Sequence, residues 1–107
     1  MNFIQARVQF PAGAPYDIVD EASYVLEDKA RQLEVELKQE YPDIELFKDL
    51  LVMSNGPGSS ASASLVFQNI EEVNFDVAKY AARWRDIMPL IPDARETSFD
   101  FSTAGGS

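Results

Sequence analysis

An α+β fold, built in the order strand, helix, strand, strand, helix, strand, is predicted by three features of the sequence. Apolar and polar residues alternate near both ends, in "FIQARVQF" and "TSFDFST", with the period of a half-buried strand. Two longer segments repeat apolar residues every three or four positions, as a helix packed along one side requires. Between them, two extended runs of similar length flank "NGPGSS", whose Gly and Pro supply hairpin-turn geometry.

The first strand covers Phe3 to Phe10, with Ile4, Ala6, Val8 and Phe10 on one face and Gln5, Arg7 and Gln9 on the other; "PAGAP" ends it. Beyond Pro15, the residues Ile18, Ala22, Val25, Leu26, Ala30, Leu33 and Leu37 form one stripe of a helix that Pro42 stops near Glu40. Pro15 suits the first helical position and Asp17 and Asp20 favour the positive helix end, while Ala14 offers no side-chain cap. On the outer face, Glu27 with Arg31 and Glu34 with Lys38 stand acid before base one turn apart, a solvated arrangement worth about 0.2–0.5 kcal/mol per pair. Extended runs over Leu46–Ser54 and Ser60–Gln68 make the hairpin. A second helix, capped by Asn74, runs from Phe75 to Met88 with Val77, Ala81, Trp84 and Met88 on one face, and Pro89 and Pro92 end it. The last strand, Arg95 to Thr103, sets Thr97, Phe99, Phe101 and Thr103 opposite Ser98, Asp100 and Ser102, and residues 104–107 read as a flexible tail. This is the ferredoxin-like split βαβ pattern (βαββαβ), with first and last strands adjacent and two helices on one face of a four-stranded antiparallel sheet. The other sheet face is left open.

At 107 residues the chain is the size of one domain. It has no Cys and no His, which removes thiol nucleophiles, imidazole bases, disulfides and the usual zinc ligands. A net charge of -9 repels nucleic-acid backbones and anionic lipid surfaces. No window approaches the roughly 20 apolar residues of a membrane span, and "MNFIQARVQF" is not read as a signal peptide.

The motifs that suggest chemistry mostly dissolve on inspection. "NGPGSSASAS" neither leads into a helix nor carries the lysine of a phosphate loop. The third strand has only Phe67, too few aromatics for an RNA-recognition module. "YDIVDE" and "NIEEVNFD" lack the calcium-loop pattern and read as solvated acid. In "RWRD", Trp84 shares the stripe of Val77 and Ala81 and belongs to the core, leaving Arg83 and Arg85 to flank it, with one of them pairing an acid of the first helix. An acylphosphatase-type enzyme would need an arginine-bearing phosphate loop after the first strand, where "PAGAP" stands. No catalytic residue, cofactor or metal site is read. The last strand admits two orientations. Its period alone points Phe99 and Phe101 at the helices and Asp100 outward. The reverse puts both rings on the open face beside Gln5, Arg7 and Gln9, as an exposed aromatic patch.

"VQFPAGAPYDIV", "NGPGSSASASLVF", "AARWRDIMPLIPDA" and "SFDFSTAGG", in this order and spacing, resemble a periplasmic porter subdomain of resistance-nodulation-division efflux transporters of the acriflavine-resistance type. The likeness runs over Phe3 to Gly105 and is nearest the first porter subdomain of the C-terminal half. It implies a piece excised from a proton-driven, trimeric inner-membrane pump of a Gram-negative bacterium. That piece would lie in the periplasm and form one wall of a substrate cleft. Partners would be efflux substrates, the neighbouring porter subdomains and protomers, an adaptor and an outer-membrane channel. Carried over by position, the cleft residues are Arg7, Gln9, Thr97, Phe99, Phe101 and Thr103, with Asn55, Gly56, Pro57, Gly58 and Ser59 in a loop beside it; the resemblance therefore favours the open-face orientation of the last strand. The loop is shorter and less aromatic than in the multidrug members, and Arg7 and Thr103 are more polar, so the substrate class stays open. The alternative is a freestanding module that binds a small metabolite as a dimer through sheet edges or open faces.

Overall fold

A computed structural model describes residues 2–55 and 59–102. The elements are β1 (Asn2–Gln9), α1 (Tyr16–Glu40), β2 (Phe47–Asn55), β3 (Ser60–Phe67), α2 (Val77–Ile87) and β4 (Glu96–Ser102). The fold is α+β: one antiparallel four-stranded sheet in the order β2-β3-β1-β4, with α1 over β2 and β3 and α2 over β4 and β1. A strand of the other unit thus separates the two strands of each strand–helix–strand unit.

Along α1 the buried stripe is Val19, Ala22, Ser23, Leu26, Ala30, Leu33 and Leu37, while Ile18 and Val25 sit half-buried at its margin. Pro15 takes the cap position without a side-chain bond, and Tyr41 N–H donates to the Leu37 carbonyl at 2.8 Å just before Pro42 stops the chain from continuing helical. Under this helix, Ala61, Ala63 and Leu65 of β3 are buried. The alternation in "SASAS" therefore puts alanines beneath α1, and their small size lets the helix lie close to the sheet. Ile4, Ala6 and Val8 of β1 continue the same core, which Phe10, Leu46, Phe67, Phe75 and Trp84 complete. Phe75 is wedged among Tyr41, Phe67 and Tyr80, with ring centroids 6.0, 5.2 and 4.9 Å away.

Two expectations need correction. The second helix begins at Val77, and its cap is Asp76, whose carboxylate accepts from Lys79 N–H at 3.2 Å. Asn74 lies upstream with φ 52°, a left-handed position that Asn tolerates, and a short 3-10 turn, Ile70–Glu72, fills the stretch before it. The outer face of α1 also differs: Glu34 gathers both Lys38 and Arg31, each at 3.2 Å, and Arg31 faces Glu34 instead of Glu27. The bond from the second helix to the first does form. Arg83 grips Glu36 with two hydrogen bonds of 3.1 and 2.9 Å, and this guanidinium holds the Glu36 carboxyl below its ordinary pKa. Beside it the Tyr80 hydroxyl donates to the Glu40 carboxylate; burial, then this bond, keeps the phenol from ionising until well above its usual range.

Candidate functional site

Strand pleating sorts every residue of the sheet to one face or the other, and the register fixes which residues meet. On the uncovered face, Arg7 stands between Ser62 of β3 and Ser98 of β4, and Gln9 between Ser60 and Glu96. Gln5 stands between Ser64 and Asp100, and Phe3 between Val66 and Ser102. β2 adds Asp49, Leu51, Met53 and Asn55 at the far edge.

This face divides by chemistry. Leu51 and Met53 are 54% and 66% exposed, and with Phe3, Gln5, Ser64 and Val66 the first of them walls a shallow hollow of about 250 Å³. Toward β4, Arg7, Gln9, Glu96 and Ser98 line a second hollow of about 190 Å³. An apolar half therefore adjoins a half with a cation, a carboxylate and neutral hydrogen-bonding groups. Such a surface can hold a molecule that is apolar at one end and polar at the other. Among the described residues no three acids come together as a metal site.

The residues expected to line one cleft are not on one face. Arg7 and Gln9 are on the open side, but Thr97, Phe99 and Phe101 pair with Val8, Ala6 and Ile4, all fully buried beneath the helices. The open-face orientation of the last strand is thus corrected. Phe99 is only 8% exposed and meets the Trp84 ring edge-on at 5.8 Å, with the Arg85 guanidinium 5.6 Å from its centroid. Ala6 is the reason it fits: a small residue on β1 leaves room for a phenylalanine beside it and an indole above. The reverse orientation would have turned the Asp100 carboxylate toward the buried apolar residues of β1 under the helices, at the cost of its hydration. Thr97 is exposed at the sheet edge, and Phe101, on the same side, is 49% exposed.

Of the loop residues, Asn55 closes β2 and Ser59 is buried with φ 50°, its carbonyl accepting from Phe10 N–H at 2.8 Å, which pins the hairpin root to the end of β1. Gly56, Pro57, Gly58 and Thr103 lie outside the described residues. Sequence reading missed Leu51, Met53 and the serines of β3 as surface partners of Arg7. The alternation of "SASAS" carried that signal; "LLVM", apolar on both faces, did not.

No family model matches this chain, and no curated protein matches it. No helix among the described residues is long and apolar enough to cross a membrane.

Proposed function

We propose that this chain is a non-enzymatic binding subdomain of the porter type, whose open sheet face forms one wall of a ligand cleft in a proton-driven efflux pump. The observation that carries the reading is the uncovered sheet face, where exposed Leu51 and Met53 share a surface with Arg7. Exposed apolar side chains grouped on one face mark a binding surface more often than chance scatter. The motif resemblance supplies the kind of cleft. On this reading the wall is made by Gln5, Arg7, Gln9, Leu51, Met53 and Ser98, and Phe99 is the support beneath it. The helices face away from the ligand, toward neighbouring subdomains. The periplasmic location and the trimeric pump belong to the same proposal.

A lone wall binds weakly, because half of the burial a pocket provides is missing. Titration with a cationic, aromatic pump dye, followed through backbone amide NMR shifts, should perturb Gln5 to Gln9, Leu51 to Met53 and Ser98. Arg7→Ala should reduce the shifts of an anionic dye more than those of a cationic one. Shifts confined to α1 and α2 would overturn the assignment of the face.

A further inference from the structure

β2 and β4 are the two edges of the sheet, and they are built differently. β2 carries a register irregularity between Phe47 and Asp49 with Lys48 at it, two devices that discourage a further strand. β4 is continuous in register from Glu96 to Ser102 and holds neither lysine, proline nor bulge, its charges being the two acids Glu96 and Asp100. Among the described residues no strand pairs with its outer side. A regular edge is a template for another strand wherever the register keeps its charges from opposing like charges.

Beside this edge lies a groove of about 450 Å³, walled by Arg85 of α2, by Met88 at that helix's C-cap, by Leu90 and Ile91 of the following loop, and by Thr97 and Phe99. Leu90 is 94% exposed, and Phe101, two residues along β4 from Phe99, is half exposed on the same sheet side. We propose that β4 pairs with β4 of a second copy, antiparallel about a two-fold axis at Phe99, so that Phe101 of each copy enters this groove of the other.

The occupant follows from the register. Antiparallel pairing centred on Phe99 sets Thr97 opposite the second copy's Phe101, and opposite residues project to the same face with Cβ atoms about 4.5–5.5 Å apart. Thr97 is on the groove wall, so the incoming ring lands beside Thr97, Phe99 and Met88 and covers Leu90. The same register sets Ser98 opposite Asp100 and Glu96 opposite Ser102. Each carboxylate of the strand thus meets a hydroxyl, and no like charges are directly opposed. Glu96 stands diagonal to Asp100 of the other copy, but Arg7, one strand inward, is diagonal to both acids of its own β4. A centre at Ser98 would set Glu96 opposite Asp100, a centre at Asp100 would set the two Asp100 carboxylates opposite each other, and a centre between residues would turn the side chains of the second strand to the wrong face. The pairing makes a continuous eight-stranded sheet and leaves both ligand-facing walls open, so it does not rest on the porter reading.

Sedimentation velocity on the 107-residue chain from low to high micromolar concentration tests it. A reversible monomer–dimer equilibrium is expected. Ser98→Asp should weaken it at least tenfold, because the new carboxylate opposes Asp100 of the other copy while it faces Arg7 within its own; the monomer should keep its thermal midpoint. Phe101→Lys should weaken it by a similar factor, and Met53→Lys, on the far edge, should leave it unchanged. A chain that stays monomeric throughout, or a dimer that Ser98→Asp and Phe101→Lys spare, would overturn the proposal.

Discussion

Trp84 has no exposed surface, and it meets Phe99 edge-on. Its indole N–H is a buried donor without a partner among the described residues, which shows that the site was filled for volume and ring contact more than for hydrogen bonding. A different logic holds Glu36 and Arg83, where two parallel bonds join the helices at the surface. The guanidinium favours the ionised carboxylate, so Glu36 releases its proton at lower pH in the folded chain than in the unfolded one. Its contribution to stability is complete above the ordinary carboxylate pKa and is lost as pH falls through the lowered one. Urea midpoints of the native chain and of Glu36→Gln should therefore differ near neutral pH and converge as pH is taken down toward about 2. A difference that persists unchanged in acid would show that the pair acts by shape and not by charge.

At the scale of elements, the start of α2 separates two residues that look alike in sequence. Asp76 caps the helix with its carboxylate, whereas Asn74 supplies a left-handed turn before it. Asp76→Ala should lower stability by about 1 kcal/mol in chemical denaturation, the usual loss of an N-cap, and Asp76→Asn should restore most of it. Asn74→Gly should be tolerated, because glycine accepts a positive φ without steric cost. Similar losses at both positions would mean that the helix starts earlier than Val77. β3 makes a related point: its serines and alanines form a central strand and not a linker, since the alanines are what allow α1 to approach.

For the whole molecule the dominant long-range term is the net charge of -9. It opposes any contact between copies, and added salt screens it over a length of about 10 Å at 0.1 M. The β4 pairing should therefore tighten as salt is raised from about 20 to about 200 mM, because its contacts are apolar and its acids face hydroxyls. Weaker association at higher salt would point to an ion-paired interface elsewhere.

The succession of elements was legible from residues alone, because period two and period three-to-four are local and the sequence keeps both cleanly in "FIQARVQF" and along α1. So was the burial of Trp84, which shares a helical stripe with Val77 and Ala81. The orientation of β4 was read two ways: its period pointed Phe99 and Phe101 at the helices and the family resemblance turned them to the open face. Ala6 on the adjacent strand and Trp84 above it, both distant in sequence from Phe99, bear out the period. The candidate site divided for the same reason. Arg7 and Gln9 were assigned to the open face by their own strand, whereas the resemblance grouped Thr97, Phe99 and Phe101 with them, and the pairing of β4 with β1 returns these three to the helix side that their period indicated. Local periodicity tells which residues share a face; which face is buried depends on the volumes that meet across the sheet, and only the assembled chain brings those together.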